Sequence, residues 1–319
     1  MNKQSKSIIK KSEEVQKKEQ IITIQKKDIW RAIYDSLIPD PIEGSKKTRN
    51  NLICNFIEQG INKHNISKQY NIIIFHDEGT MVKSDADNIY STANSFNEKK
   101  PLLLVLYSTG GEIGSAYLIS KLCREYSNGK FVVVVPRQAK SAATLICCGA
   151  DEIHMGSLSE LGPIDPQINR LPALGLKNSV EHIAELVSKY PQSSEMFAKY
   201  LKLSLAPVNL GYYERVAQSA AQYAERLLKL RSSKLKNKHA KIAEGLVYSY
   251  KDHGFVIDKG EAEEIFGNDT IKTNTDEYKL GNEIYESLIY ISRVANSLDH
   301  YFYHIGSSQS EPIFNKKLD

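Results

Sequence analysis

Two short segments of the sequence carry residue types that could do chemistry together. One contains the glycine pair Gly110-Gly111, and the other is the turn Lys140-Ser141-Ala142. Paired glycines let backbone N–H groups approach a ligand closely, because no Cβ atom stands in the way. A serine that opens a helix places its hydroxyl beside the unpaired N–H groups of the helix N-terminus. A nucleophile and prepositioned N–H donors are what acyl transfer requires, because a tetrahedral oxyanion must be stabilised.

The same segments also have simpler interpretations, which the residues alone leave open. A serine at the start of a helix commonly serves only as its N-cap, and a Gly-Gly pair commonly serves only as a turn. Phosphate binding at the glycines is less favoured, because neither the P-loop nor the dinucleotide-binding pattern is present. The 8 histidines show no His-Glu-x-x-His spacing, so the sequence predicts no catalytic metal, and it indicates no cofactor.

Short apolar strands separated by helices must position these two segments. Apolar runs predict strands over four ranges: Asn71–Phe75, Pro101–Tyr107, Phe131–Val135 and Ile153–Met155. Helical patterns lie among them: Ser84–Asn97, Glu112–Tyr126 and Ser141–Gly149. This alternation predicts an α/β fold in which a mostly parallel sheet is covered by helices on both faces. Both segments follow the carboxyl ends of strands, which is the edge where parallel sheets bind ligands.

The remainder of the chain is predicted to be mainly helical. Residues 1–65 form a charged, helical N-terminal extension, whose first 27 residues are rich in lysine and glutamate. After Gly156–Gly175 we expect helices only, with apolar stripes over Asn209–Leu230 and Asn282–Leu298. The sequence thus predicts three parts, which are the extension 1–65, a catalytic core 66–270, and a C-terminal helix and tail 271–319.

Composition limits the class of protein. The chain has 319 residues, of which 41% are hydrophobic, and its 42 basic and 38 acidic residues give a net charge of +4. This charge is too small to predict binding to nucleic acid or to an anionic membrane. The longest apolar run, Pro101–Tyr107, is far shorter than the roughly 20 residues of a membrane helix, and no signal-peptide pattern is present. The 4 cysteines lack metal-site spacing, so we expect a cytoplasmic protein with reduced thiols, in which Cys147 and Cys148 are buried.

Three motifs of the sequence resemble those of a known family. They are Tyr107 to Glu112 (YSTGGE), Pro136 to Thr144 (PRQAKSAAT) and the long string Gly149 to Gln167, which ends in SELGPIDPQ. The stretch from about Ile72 to Gln167 resembles the serine dehydrogenase proteinase family, and Tyr248–Phe266 is loosely similar to a late segment of it. That family is placed in the Clp-protease and crotonase-like superfamily, together with the signal-peptide peptidase A group. The resemblance implies a Clp/crotonase-like fold, peptide or protein substrates, and assembly into homo-oligomers.

The resemblance also implies roles for individual residues. Ser141 falls on the serine nucleophile of the superfamily, whereas Gly110, Gly111 and the N–H of Ala142 fall on the oxyanion hole. A serine is a weak nucleophile until a base accepts its proton. Clp proteases use a histidine with an aspartate for this purpose, and signal-peptide peptidases use a lysine. This sequence departs from both patterns, because no histidine stands near Asp165 and no lysine is singled out by a shared motif.

The general base is therefore open to several candidates. His253, in the late segment that resembles the family, is the first of them. Others follow the serine by some dozens of residues: His182, Lys177, Lys189 and Lys199. Lys140 adjoins the serine, but adjacent side chains in a tight turn diverge, so a role in orienting a neighbouring loop or attracting a carboxylate suits it better. Asp165 and Glu160 could orient a base or simply cap the loop, whereas His154 and His76 are predicted to be structural.

Taken together, the residues and the resemblance predict a serine-type peptidase that hydrolyses peptide bonds through Ser141. Two other classes of function stay open. One is a catalytically inactive scaffold or binding protein that keeps the Clp fold, and the missing assignment of a base favours it. The other is a crotonase-like enzyme, in which the same N–H donors would polarise the carbonyl of an acyl thioester.

Overall fold

The computed structural model of the protein describes residues 24–168, 171–204, 207–231, 235 and 237–317. Its main sheet contains nine strands, which are β1 (Asn71–Asp77), β2 (Leu102–Ser108), β3 (Phe131–Val135), β4 (Gln138–Ala139), β5 (Glu152–Met155), β6 (Glu160–Leu161), β9 (Ile271–Lys272), β10 (His300–Gly306) and β11 (Ile313–Lys316). A separate antiparallel pair consists of β7 (Gln167–Ile168) and β8 (Leu171–Pro172).

The sheet has the strand order β11-β10-β1-β2-β3-β5-β9, and its central strands run parallel. The four strands predicted from apolar runs are its β1, β2, β3 and β5. Consecutive members of this set are joined through helical crossovers, because parallel neighbours cannot be connected by a tight turn. The prediction of an α/β fold with a mostly parallel sheet is therefore confirmed.

The described ranges contain eleven α-helices. They are α1 (Lys26–Leu37), α2 (Ser45–Asn62), α3 (Lys83–Asn94), α4 (Ile113–Tyr126), α5 (Ala142–Cys148), α6 (Ala173–Lys189), α7 (Ser194–Ser204), α8 (Pro207–Lys229), α9 (His239–Tyr248), α10 (Lys259–Phe266) and α11 (Asp276–Ser297). The predicted helices near residues 28–65, 84–97, 112–126, 141–149, 209–230 and 282–298 all have counterparts among them. Residues 1–23 of the predicted N-terminal arm lie outside the described residues.

Successive side chains of each strand enter two different cores, as the twofold period of a strand dictates. Ile73 and Phe75 pack with α3, α4, α5, α8 and α9 on one face of the sheet. Ile74 packs on the opposite face, where α1, α2 and α11 supply the apolar side chains. Continuous apolar runs such as Phe131–Val135 are thereby buried on both sides, which explains why they show no alternation with polar residues.

The two predicted functional segments meet because of a short strand that extends beyond β3. This strand, β4, follows β3 after two residues and also pairs in parallel with β2, so that Ala139 lies beside Ser108. The N–H of Lys140 then donates to the carbonyl of Ser108 at 3.0 Å. Because Gly110 and Gly111 follow Ser108 directly, this pairing brings the glycine segment and the serine turn side by side.

The expectation that only helices follow residue 175 is wrong, because β9, β10 and β11 lie in that part of the chain. β10 runs antiparallel to β1, with His304 opposite His76, and β11 pairs with β10 in turn. The segment His300–Gly306 is rich in ring-bearing side chains, which are common in strands. It contains too many polar groups to match the continuous apolar pattern of the central strands.

The division into parts at residues 65 and 270 stays a prediction. In the structure, one core contains apolar side chains from all three predicted parts: Ile53 from the extension, Val132 from the central part and Leu280 from the last part. The helix α11 also lies close against the sheet, because a Cβ at Gly281 would come within 2.4 Å of a methyl carbon of Val134.

Two further observations bear on the class of protein. All four cysteines are free thiols in the interior, and Cys147 and Cys148 are fully buried, as predicted. Within the described ranges, no helix combines the length and the apolar character needed to cross a bilayer.

Candidate active site

The glycine segment and the serine turn are in direct contact. A Cβ atom built on Gly110 would lie 2.8 Å from the carbonyl oxygen of Lys140, 2.9 Å from the Cβ of Ser141 and 3.1 Å from the backbone nitrogen of Ala142. Only a residue without a side chain fits there, because the first two separations are shorter than real Cβ contacts. The predicted convergence of the two segments is therefore present in the structure.

Ser141 has an unusual backbone conformation at the junction between β4 and α5. Its φ of 50° and ψ of −120° lie outside the regions that residues with a Cβ prefer, and the strain costs about 1–3 kcal/mol. The chain must make this sharp turn to pass from the strand into a helix that is buried throughout. Similar strained strand-to-helix turns expose the hydroxyl of a nucleophilic serine in other enzymes. Here the turn leaves Ser141 partly exposed while Ala142 is fully buried.

Two backbone N–H groups beside the serine are available to a ligand. Among the described residues, neither the N–H of Gly111 nor that of Ala142 has a hydrogen-bond acceptor. The N–H of Gly110, by contrast, donates to the hydroxyl of Ser108 at 3.1 Å. Gly111 and Ala142 are thus the better donors for an oxyanion, and Gly110 contributes by letting the two segments approach.

Met81 holds the glycine segment in place from the other side. Its N–H donates to the carbonyl of Gly110, its carbonyl accepts from the N–H of Glu112, and both distances are 2.9 Å. In such a parallel bridge the N–H of the middle residue, Gly111, points away from the partner strand. Gly111 has a φ of 151°, and a Cβ there would come within 2.3 Å of the Met81 nitrogen. A side chain at this position would therefore disrupt the bridge that orients the free N–H.

Ser141 and His253 line the same cavity, which has a volume of about 580 Å³. Its lining residues are Thr80, Thr109, Gly110, Gly111, Glu112, Ile113, Ser141, Pro166, Gln167, Val216 and His253. No lysine or arginine is among the described residues that form this lining. The cavity therefore brings together a serine hydroxyl, a free backbone donor and an imidazole at the carboxyl edge of the sheet.

Asp165 stands next to the imidazole of His253. The Nδ1 atom of His253 lies 3.6 Å from Oδ2 of Asp165. The same oxygen accepts a hydrogen bond of 3.0 Å from the side-chain Nε2 of Gln167. Within the described part of the chain, His253 Nδ1 and Asp165 Oδ1 are buried and have no hydrogen-bond partner. A small movement would join the two groups, and catalytic hydrogen bonds are often long before substrate binds. Asp165 can thus orient the imidazole.

The side chain of Lys140 contacts neighbouring loops. Its Nζ atom lies 2.9 Å from Oε2 of Glu160 and donates to the carbonyls of Leu161 and Phe255 at 3.3 and 3.1 Å. Lys140 therefore contacts both a carboxylate and a neighbouring loop, and its role stays a prediction. Glu160 forms a second ion pair, with Arg137, whose Nη1 atom lies 2.8 Å from Oε1 of Glu160.

The other candidate bases lie elsewhere. The His182 side chain is 68% exposed and 3.9 Å from Glu185, and Lys177 and Lys199 pair with carboxylates on the surface. Lys189 is also exposed, with its ammonium over the ring of Tyr190. None of these four residues is among the described residues of the cavity lining.

The two histidines predicted to be structural are buried away from the cavity. His154 contacts the hydroxyl of Thr275 at 2.7 Å and Oε2 of Glu152 at 3.1 Å. His76 lies 3.0 Å from the hydroxyl of Ser292, and burial lowers the pKa of its imidazole to about 3. His76 is therefore neutral at physiological pH and belongs to the core.

Sequence reasoning does not identify several features of the site. For Asp165 the sequence leaves open whether it orients a base or caps its loop, and its neighbour His253 is distant along the chain. Val216 comes from α8, where its helical spacing indicates packing and nothing more. Thr80 precedes the Met81 bridge and carries no motif of its own. Among the described residues, no group of three or more histidine, cysteine or acidic side chains is arranged to hold a metal ion.

The mostly parallel sheet, the glycine segment and the strained serine turn define a ClpP-like α/β fold with a serine at the carboxyl edge of the sheet. Residues 63–189 match the family described as ClpP-like SDH-type serine proteinase, which confirms the resemblance to the serine dehydrogenase proteinases. The matched stretch contains Ser141, Gly110, Gly111 and Asp165 but ends before His253. The match supports a peptidase function in general terms.

Similar proteins and structures were found beyond this family match. Two uncharacterized proteins of Methanocaldococcus jannaschii are 33% identical over 97 residues and 31% identical over 104 residues. The aligned parts cover 30% and 33% of this chain, and 34% and 35% of the relatives, so the chain spans about a third of their length. Two structures of the 1510-N membrane-bound stomatin-specific protease, a serine-to-alanine mutant and a lysine-to-alanine mutant with a substrate peptide, have TM-scores of 0.41 and 0.40 at 14% identity. They cover 70% and 66% of this chain, and 84% and 78% of their own.

Proposed function

We propose that the protein is a serine peptidase in which Ser141 is the nucleophile and His253 is the general base. The observation that carries this proposal is the shared cavity, where Ser141, Gly111 and His253 face the same space. Asp165 orients the imidazole through Nδ1, which leaves Nε2 to exchange protons with the serine and with the substrate. The N–H groups of Gly111 and Ala142 form the oxyanion hole.

The proposed reaction proceeds in two stages through an ester intermediate. His253 accepts the hydroxyl proton while Oγ of Ser141 bonds to the carbonyl carbon of the peptide. The carbonyl oxygen of the peptide becomes the oxyanion. The C–N bond then breaks as His253 transfers the proton to the departing amine. Water attacks the ester in the same manner, so that the acid product leaves and the serine hydroxyl is restored. Each oxyanion-hole donor contributes about 3–4 kcal/mol to transition-state stabilisation in enzymes of this type.

Several properties of the whole protein belong to the same proposal. The resemblance supports residues 66–270 as the catalytic core and a homo-oligomer as the working form. The family match supports peptide or protein chains as the substrates. The free, buried thiols support a cytoplasmic location.

Labelling with a fluorophosphonate probe tests the assignment of the nucleophile. We expect the wild type to be labelled once per chain, Ser141→Ala to lose the label, and Ser157→Ala, a change at an exposed serine, to keep it. Hydrolysis of a fluorescent casein or peptide mixture should follow the same order. Equal labelling of wild type and Ser141→Ala would refute the proposal.

The labelling result, combined with two further measurements, distinguishes the two other classes of function. A folded wild type that is neither labelled nor active, together with a biological activity retained in Ser141→Ala, would indicate an inactive scaffold. Thermal stabilisation by coenzyme A thioesters and not by peptides would indicate crotonase-like chemistry.

A further inference from the structure

The side chain of Lys140 connects the serine turn to the loop that carries His253. We propose that Lys140 is a positioning residue, which sets the distance between His253 and Ser141 by holding the carbonyl of Phe255. The proposal rests on the proposed function, because it assigns to Lys140 a part in the reactivity of Ser141. Its ammonium does not itself act on the substrate.

The backbone of Lys140 is fixed as firmly as that of the serine. Its N–H donates to Ser108 and its carbonyl accepts from the N–H of Ala143 at 2.8 Å. The aliphatic stem passes over Gly162, where a Cβ would come within 2.7 Å of the Lys140 Cδ atom. The packing against Gly162 restricts the conformation of the side chain, and the backbone hydrogen bonds fix the position of its Cα atom. The ammonium therefore reaches the carbonyl of Phe255 from a defined backbone position.

The buried carboxylate of Glu160 holds the ammonium in position. The side chains of Lys140 and Glu160 are only 15% and 11% exposed, so solvent screens their attraction little. Glu160 also pairs with Arg137, whose Nη1 donates to the carbonyl of Leu158 at 2.7 Å. The carboxylate thus keeps one cation when the other is removed, and a variant at Lys140 does not leave it without a partner.

The His253 loop has few other connections to the serine side of the cavity. Residues 254–256 are exposed. The backbone N–H groups of Gly254 and Phe255 both donate to Asp252, which belongs to the same loop. Beyond the Lys140 contact, the described backbone bonds to the neighbouring segment are those between Leu161 and Ile257, at 2.9 and 3.1 Å. Phe255 is closer in sequence to His253 than Ile257 is, so the ammonium holds the loop backbone nearer to His253 than the Ile257 bonds do, while Asp165 faces the imidazole itself.

The test compares Lys140→Met with Arg137→Met in the full-length protein. Methionine keeps the apolar stem of either residue and removes its charge, and both changes delete one cation from Glu160. Arg137→Met also removes one contact to a backbone carbonyl, at Leu158, whereas Lys140→Met removes two, at Leu161 and Phe255. Only Lys140→Met releases Phe255. The measurements are hydrogen–deuterium exchange over residues 250–258, fluorophosphonate labelling rate, kcat and KM on a reporter peptide across pH, and thermal unfolding.

We expect Lys140→Met to raise exchange in the loop, and to lower the labelling rate and kcat by about 10- to 100-fold, because misplacing a catalytic group by about 1 Å has an effect of this size. KM should change less than about threefold, since the lining residues other than His253 are unchanged. Lys140→Arg, which can still reach the carbonyl, should recover at least part of the rate. Arg137→Met should stay within about threefold of wild type at a similar loss of thermal stability.

Each outcome decides between these alternatives. Unchanged exchange over 250–258 in Lys140→Met, or an equal loss of rate in Arg137→Met, would overturn the positioning role. Raised exchange with a slower rate in Lys140→Met alone supports it. Failure of the proposed function is seen separately, because wild type and Ser141→Ala would then be labelled alike.

Discussion

The contact between the glycine segment and the serine turn predicts a large effect for one added methyl group. In Gly110→Ala the new Cβ would overlap the Lys140 carbonyl oxygen and the Ser141 Cβ, at 2.8 and 2.9 Å. Both atoms belong to fixed parts of the chain, so neither can move away as the tip of a flexible side chain would. The two segments must therefore separate, and the geometry around the proposed oxyanion hole is lost.

The magnitude follows from two contributions. Overpacking of a well-packed site costs about 1–3 kcal/mol, and an alanine with the φ of 107° found at Gly110 adds about 1–2 kcal/mol of backbone strain. The sum, about 2–5 kcal/mol, is a large part of the stability of an ordinary domain. Catalysis should suffer in addition, because a misplaced oxyanion-hole donor lowers the rate by about 10²–10³-fold.

Urea unfolding and fluorophosphonate labelling together measure both effects. Gly114→Ala is the matched control, since Gly114 lies at the start of α4 and nothing lies within 4 Å of its added Cβ. We expect that control to be unchanged or more stable by up to about 1 kcal/mol, as alanine favours helices. If Gly110→Ala kept its unfolding free energy and its labelling rate within a factor of about two, the two segments would not abut in the folded protein, and the reasoning would be refuted.

Three other predictions concern charge and pH. Asp165→Asn should lower kcat by about 10²-fold or more with little change in KM, because the His253 imidazolium loses its partner; retention of the full kcat would exclude Asp165 from the mechanism. Glu112→Gln should reduce kcat/KM for a peptide with a lysine near the cleaved bond by about two- to fivefold relative to a neutral peptide, since Glu112 is an exposed carboxylate of the cavity lining. An unchanged ratio would contradict this reasoning. His76→Phe should flatten the acid side of the stability curve: the pKa of the buried His76 is lowered to about 3 from 6.5, so unfolding takes up a proton below pH 6.5 and stability falls there. Between pH 7 and a pH of about 4.5, the wild type should lose about 2–3 kcal/mol more unfolding free energy than His76→Phe, as measured by chemical denaturation. Parallel plots of unfolding free energy against pH would disprove this prediction.

The sequence predicts the central strands and the meeting of the two segments because both depend on local patterns. A run such as Phe131–Val135 is too short and too apolar for a surface helix, and glycines after a strand must lie at the carboxyl edge of a parallel sheet. The strand β10 could not be predicted in this way, because it is a strand through its pairing with β1, and no local sequence pattern specifies that pairing.

The proposed pairing of His253 with Asp165 depends on contacts between distant parts of the chain. His253 could be suggested from a loosely similar segment, but its approach to Asp165 requires the whole arrangement of the bridge between Leu161 and Ile257. The distinction between Gly110 and Gly111 depends on one hydroxyl, that of Ser108, which occupies the first N–H. Tertiary contacts of this kind leave no periodic trace in a sequence.

The bridge between Leu161 and Ile257 has a consequence for protein synthesis. A ribosome completes the serine turn long before it reaches the loop that contains His253, and the two are joined only when both strands of the bridge have emerged. A growing chain would thus display the hydroxyl of Ser141 before the imidazole that we propose as its base. Under the proposed function, hydrolytic activity would arise only when most of the fold is already in place.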